Sequence, residues 1–254
     1  MRALKKAFLA AGLFVGFGLS AQAAEHQEPP PKLDWQHGGI FGTFDRAAAQ
    51  RGFQVYKEVC SACHSMNLLA YRNLRDLGFS EDEVKAIAAQ YKVPGAPNDQ
   101  GEVVERPATP ADHFVKPFPN EQAARAANNG ALPPDLSLMV KARAGGENYV
   151  AGLLTAFVDP PEDVKVPDGQ YYNKYFPGHL LAMPPILNDG SVTYTDGTNA
   201  TKEREAKDVA TFLTWAAEPK LEARKQTGVK VILFLLVFTG LMYGVKRKIW
   251  AHAH

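Results

Sequence analysis

The chain has 254 residues, 46% of them hydrophobic, with a formal net charge of +1 and two cysteines. This balance leaves no basic excess to hold a nucleic-acid partner. Both cysteines fall within one short motif, so none is left for a stabilising disulfide and order must come from packing.

The N-terminus carries Arg2, Lys5 and Lys6, an apolar stretch from Ala7 to Leu19, and then Ala21-Gln22-Ala23. Basic, apolar and small-residue zones in that order predict a secretory signal over residues 1–23, cleaved after Ala23. The apolar stretch is short for a membrane span, which argues against a retained anchor. Residues 24–226 then read as one exported domain.

Asp45 is placed to cap a helix from Arg46 to about Val59, with Phe44 as its hydrophobic staple. Phe44, Ala48, Val55 and Val59 recur at near-helical spacing and define an apolar face. The helix leads into Cys60-Ser61-Ala62-Cys63-His64. A Cys-x-x-Cys-His run has the spacing of a c-type haem attachment site, where two thioethers bind the porphyrin and the adjacent imidazole ligates iron. On a helix, Cys60, Cys63 and His64 stand at i, i+3 and i+4 and share one side. A zinc site would want a second Cys or His pair at matching spacing, which the sequence lacks. A redox dithiol would sit beside a strand–helix unit, whereas a helix precedes this motif.

Ser80 and the acidic Glu81, Asp82 and Glu83 predict a second helix from Glu81 to Tyr91. From Lys92 to Asn120, Pro94, Pro97, Pro107, Pro110, Pro117 and Pro119 predict a stretch without regular elements. Helical patterning returns over Glu121 to Asn128 and Gly146 to Phe157. Val158 to Asp196 reads as loop-rich, and Lys202 to Ala217 as the last soluble helix before a linker. The fold class is mainly α, with long irregular loops.

Val231 to Val245 is apolar and uncharged, preceded by Lys230 and followed by Lys246-Arg247-Lys248 and Trp250. Snorkelling lysines and an interfacial tryptophan extend this core to one transmembrane helix over 227–250, leaving 251–254 as a short tail. Signal cleavage leaves the new N-terminus outside, and the basic cluster favours the cytoplasmic side. The expected arrangement is single-pass in a bacterial inner membrane, with the domain periplasmic and the C-terminus cytoplasmic. Between residues 24 and 229, 21 Lys and Arg face 27 Asp and Glu, a net charge near −6. An acidic domain attracts basic partners through fields that salt screens.

The sixth iron position decides the chemistry at such a site. Iron held by His64 alone is open to oxygen or peroxide, whereas a thioether across the ring closes that face and raises the reduction potential. Met66 is too near His64 to reach the opposite face, and Met139 lies in a helix-like apolar run, which leaves Met183. It precedes Pro184-Pro185 in an irregular segment, where a rigid backbone can present sulfur to a metal. A core methionine is the competing reading, and His179 is the second candidate ligand. Arg125 offers a bidentate partner for the haem propionates, against the alternative of a solvated helix-face arginine.

The runs RGFQVYKEVCSACHSM (Arg51 to Met66), AYRNL (Ala70 to Leu74), NEQAARAANNGALPPDLS (Asn120 to Ser137), YYNKYFPG (Tyr171 to Gly178) and MPPI (Met183 to Ile186), with the basic-ended tail helix, resemble the cytochrome c1 family. The resemblance covers essentially the whole mature chain. It implies a cytochrome-c-like haem domain on a C-terminal transmembrane helix, with one haem c attached through Cys60 and Cys63. It further implies His64 and Met183 as axial metal ligands and Arg125 as a propionate partner. Pro134-Asp135-Leu136 resembles the Pro-x-Leu signature of small c-type cytochromes, whose proline carbonyl orients the axial histidine. Asp208 to Leu213 is similar to the C-terminal helix that packs on the haem-bearing helix of those proteins. Some bacterial relatives carry an extra cysteine pair absent here, so the Met183 loop must be held by other means.

Membership would place the chain in the cytochrome bc1 complex, a ubiquinol:cytochrome c oxidoreductase of a respiratory or photosynthetic chain. Its partners there are cytochrome b, the Rieske iron-sulfur protein and a cytochrome c acceptor, in a dimeric complex. The chain would relay single electrons from the Rieske protein to a soluble or tethered cytochrome c. Quinol oxidation would belong to cytochrome b, leaving this subunit without a substrate-transforming site of its own. The alternatives are a stand-alone anchored electron carrier, which would purify without those partners, and a haem peroxidase, which needs an open iron face.

Overall fold

A computed structural model describes residues 28–251 of the chain. The signal expected over residues 1–23 lies outside the described residues, as do the last three residues of the tail. The first helix, α1 (Arg46–Glu58), starts where the sequence predicts. Asp45 is extended, and its carboxylate accepts the Ala48 N–H at 3.0 Å, satisfying one of the donors that every helix start leaves unpaired. Helix α2 (Glu81–Ala88) opens on a reciprocal box. The Ser80 N–H donates to Glu83 Oε2 at 2.7 Å, and the Glu83 N–H donates to Ser80 Oγ at 3.2 Å. Helices α3 (Glu121–Ala127), α4 (Gly146–Thr155), α5 (Lys202–Ala217) and α6 (Leu221–Trp250) complete a mainly α architecture.

The core is built where α5 lies between α1 and α4. Gly52 makes the α1–α5 crossing possible: a Cβ there would stand 2.0 Å from the Asp208 carbonyl oxygen and 2.8 Å from Phe212 Cβ. The missing side chain lets the two backbones touch, which offsets glycine's weak helix propensity. Beside the crossing, Phe212 packs 5.7 Å from Phe53 and 5.8 Å from Tyr56. Tyr71 and Phe114 stack at 4.8 Å and extend the aromatic core towards α2.

Polar bonds fix the same crossing. Arg51 Nε donates to Asp208 Oδ2 at 2.7 Å, and a terminal nitrogen reaches Asp196 at 3.0 Å. The Asp208 side chain is only 2% exposed, and the Tyr194 ring covers the guanidinium at 5.7 Å. Burial is the main influence pushing the Asp208 carboxyl up, and the bond to Arg51 opposes it. A buried carboxylate is tolerated there because its counter-charge is bidentate and fixed.

Two segments depart from the sequence prediction. The proline-rich stretch contains a hairpin, β1 (Lys92–Pro97) against β2 (Val103–Pro107), with Lys92 opposite Pro107 and Pro94 opposite Glu105. A two-stranded ribbon consists only of edges, where proline's missing N–H breaks no ladder on its outer side. Asp112 holds the ribbon's base, accepting from Arg106 at 2.7 and 2.8 Å and from the Thr109 N–H at 2.7 Å. A second, minimal hairpin, β3 (Tyr171–Tyr172) with β4 (Leu180–Leu181), lies in the loop-rich segment.

The second departure concerns the tail, where no separate linker precedes the apolar segment. Helix α6 begins at Leu221, which is buried, while Glu222 accepts the Phe44 N–H at 2.7 Å and both Arg46 nitrogens at 2.9 Å. The first turn of α6 is thereby docked onto the start of α1. Among the described residues, α6 is the one helix long and apolar enough to cross a membrane, and its apolar window is unburied. A helix apolar on all faces and uncovered by protein fits a membrane span.

Candidate functional site

The Cys-x-x-Cys-His run does not continue α1 as an α-helix. Cys60–Ala62 form a 3-10 turn, and the Cys60 carbonyl accepts from both the Cys63 N–H at 3.1 Å and the His64 N–H at 2.9 Å. The Ser61 hydroxyl donates to the Lys57 carbonyl at 2.7 Å, a side-chain bond that competes with the regular ladder. The three functional side chains still issue from one turn. Cys60 is buried, Cys63 is exposed and neither is bridged. Burial, reinforced by the neighbouring Cys63, pushes the Cys60 thiol up to about 12.

His64 is buried, and its Nδ1 lies 2.8 Å from the Pro134 carbonyl oxygen. A carbonyl only accepts, so Nδ1 carries the proton and Nε2 carries the lone pair. Burial lowers the imidazole pKa, against the bond to Pro134 and the charge of Asp135. A neutral ring with a fixed tautomer is the form in which histidine ligates a metal.

Pro134 is placed by a zipper between the motif and residues 134–137. The Leu136 N–H donates to the Ser65 carbonyl at 2.9 Å, and the Leu68 N–H to Ser137 Oγ at 3.1 Å. Asp135 accepts from Ser65 Oγ at 2.9 Å, from the Asn67 N–H at 2.7 Å and from the Ser137 N–H at 2.9 Å. Burial works to raise the Asp135 carboxyl, but the bonds from Ser137, Asn67 and Ser65 outweigh it and hold it below the usual carboxylate range. On the other side, the buried Tyr56 hydroxyl donates to the His64 carbonyl at 3.2 Å. The carbonyl that orients His64 is thus anchored across 70 residues of sequence.

The remaining candidates lie on other elements. Met183 sits between β4 and α5, half-buried and packed against the hydrophobic core. Met66 is fully buried in that core. Arg125 is exposed near the end of α3 and donates to the Gly130 carbonyl at 3.1 Å, closing the helix terminus. His179 has a positive φ of 60°, stacks on Tyr172 at 5.2 Å, and has Nδ1 3.0 Å from the Asn173 carbonyl oxygen. Those contacts suit a residue that turns the chain between β3 and β4.

Sequence reasoning noticed Pro134-Asp135-Leu136 for its carbonyl and passed over the carboxylate between. The signal was present in Ser65 and Asn67, small hydrogen-bonding residues directly after the motif. Among the described residues, no group of three or more His, Cys, Asp and Glu could hold a metal ion directly.

Comparison with known proteins places these residues in a family. The model of the cytochrome C1 family matches residues 35–253. A protein named cytochrome b/c1 from Bradyrhizobium diazoefficiens is 50% identical over 98% of this chain, which spans 39% of that relative's length. Cytochrome c1 of Rhodospirillum rubrum is 49% identical over 97% of both chains. Cytochrome c1-2, a mitochondrial heme protein of Solanum tuberosum, is 53% identical over 85% of this chain and 83% of its own.

Proposed function

This chain belongs to the cytochrome C1 family, and from that premise we propose that it relays single electrons as the haem subunit of a cytochrome bc1 complex. The donor is the Rieske iron-sulfur protein and the acceptor a cytochrome c. Support for a haem site comes most directly from the His64 contact: Nδ1 bound to the Pro134 carbonyl at 2.8 Å leaves Nε2 as the basic nitrogen beside two unbridged cysteines. That donor set fits one haem c, which Cys60 and Cys63 would anchor through thioethers and whose iron His64 would ligate. When bound, haem c supplies a one-electron iron couple.

The chain's own residues do the rest. Pro134 fixes the ring plane of His64 and raises its basicity as a ligand. Asp135 holds Pro134 in place. Met183, half-buried against the core, would supply the second ligand to the haem iron. Arg125 is assigned to a propionate, exchanging its bond to Gly130 for a charge-assisted one. With His64 nitrogen and Met183 sulfur both holding the iron, the chain's own residues would serve to bind and orient the group.

In this reading the signal is removed, α6 anchors the chain, the domain is periplasmic and the C-terminus cytoplasmic. Cytochrome b lies beside α6 in a dimeric complex, a partnership echoed by the relative named for both b and c1. The acidic domain attracts a basic cytochrome through screened, transient contacts. Met183→Leu tests the site. It retains covalent haem, admits exogenous ligands, and lowers the potential by a sizeable part of the ~0.8 V that axial ligation spans. An unchanged potential with no exogenous-ligand binding would remove Met183 from the iron.

A further inference from the structure

Outside α6, the most exposed large hydrophobic side chain among the described residues is Phe41, 82% exposed, beside Ile40 at 67%. They form the tip of a loop whose two ends are tightly fixed. His37 is buried between Trp35 at 5.6 Å and Phe44 at 5.0 Å. Gly39 has a positive φ of 63°, and a Cβ on Gly42 would stand 1.8 Å from the Gly38 carbonyl oxygen, so the chain closes on itself there. The Lys225 ammonium ties the closure by donating to the carbonyls of both His37 and Gly42. A loop this constrained presents its apolar tip by construction.

Its position relative to α6 says what that tip faces. Ile40, Phe41, Gly42 and Thr43 line a groove of about 380 Å³ with Glu222, Lys225, Val229 and Lys230 of α6. Val229 lies two residues before Val231, where the uncharged run starts, roughly 3 Å along the axis at helical rise. Lys225 stands roughly 9 Å before Val231 on the same count; the apolar run is roughly 22 Å long against a hydrocarbon core of about 30 Å, so with the run centred the core edge falls roughly 4 Å before Val231 and Lys225 roughly 5 Å outside it, within the headgroup layer. The one acid in the groove, Glu222, is neutralised by Arg46, so the groove presents net positive charge towards phosphate.

We propose that residues 37–43 form a second membrane contact, with Ile40 and Phe41 inserted at the headgroup–acyl boundary, Lys225 level with the phosphates and Lys230 snorkelling up to them. The occupant is the phospholipid bilayer itself, recognised by apolar insertion and lysine–phosphate attraction. One helix leaves the domain free to rotate and tilt above the membrane. A helix and a rigid loop together fix its orientation. The contact rests on the reading of α6 as a membrane span.

Single nitroxide labels on the haem-loaded full chain in phosphatidylethanolamine–phosphatidylglycerol vesicles test it, since Cys60 and Cys63 are then thioether-bound. Labels go on F41C, on V237C in mid-helix and on V104C, exposed on β2. Power saturation with oxygen and a polar nickel complex should show F41C severalfold more open to oxygen than to nickel. V237C should be more so, and V104C should show the reverse. F41C matching V104C would overturn the contact while leaving the anchor intact. F41C shielded from both reagents would mean a protein neighbour covers the loop, and would overturn it too. V237C open to nickel would remove the anchor and the contact together.

Discussion

Replacing Asp135 tests whether the carbonyl that orients His64 is held by the zipper. Asp135→Ala removes the acceptor of three bonds, from Ser65 Oγ, the Asn67 N–H and the Ser137 N–H. Bonds to a charged acceptor contribute ~1.5–3 kcal/mol each when isolated. Ser137 is fully buried and its N–H has no route to water, whereas Asn67 is exposed and water replaces its partner. The expected loss is therefore about 2–4 kcal/mol, with Asp135→Asn, which keeps one acceptor oxygen, near half of that. The pH dependence gives a second handle. The folded-state pKa is lowered, so the unfolded chain binds more protons in acid, and Asp135 contributes stability above the unfolded value of about 3.9. That contribution is lost as pH falls through the lower folded value. Urea unfolding of the haem-loaded protein in detergent, followed by circular dichroism, should show wild type and Asp135→Asn far apart at neutral pH and converging in acid. A loss under about 0.5 kcal/mol for Asp135→Ala, the range of an ordinary surface change, would refute the zipper. So would a gap between wild type and Asp135→Asn that does not change with pH.

Arg51→Met strands the buried Asp208 carboxylate and should cost about 3–5 kcal/mol, with most of it recovered in the Arg51→Met/Asp208→Asn double variant. Because burial already raises Asp208, the stranded carboxyl rises further, so the Arg51→Met loss is largest at neutral pH and shrinks as pH falls; denaturant curves of wild type and both variants check both points. Gly52→Ala drives a Cβ to 2.0 Å from the Asp208 carbonyl, forces α1 and α5 apart and should cost about 3 kcal/mol or more, read as a lower urea midpoint and reduced haem incorporation. Glu222→Gln weakens the docking of α6 on α1 by about 1 kcal/mol, since the pair with Arg46 is partly exposed and the amide oxygen still accepts. Arg46 holds the Glu222 carboxyl below its ordinary range, so this contribution is present above the unfolded pKa and lost in acid. Amide exchange of residues 221–224 should quicken in the variant at neutral pH and match wild type in acid.

Local chemistry made several elements legible. Asp45, Ser80 with Glu83, and Thr201 each have a side chain that bonds back to the first turn of the helix it precedes, and such caps are written within four residues of sequence. The final soluble helix spans Lys202–Ala217, as predicted, with Thr201 a cap that only the structure identified. The hairpin at Lys92–Pro107 was hidden because the penalty for proline depends on whether a third strand is present, which no local pattern reveals. The start of α6 was hidden for a similar reason: Leu221 is buried and Glu222 binds Phe44 and Arg46, residues nearly 180 positions away.

The sequence alone determined which atoms are available for chemistry, two sulfurs and an imidazole at fixed spacing, and placed an apolar run bounded by lysines near the C-terminus. A ligand triplet and an apolar helix both impose short, contiguous requirements, so they survive in one dimension. Only the tertiary structure decided how His64 is oriented, because its partner carbonyl on Pro134 and the Asp135 clamp arrive from 70 residues away. It also decided that Gly52 marks a helix crossing and that Arg51 and Asp208 form a buried pair. Hydrogen bonds and burial act through space, and the distance along the chain carries no trace of them until the core has closed.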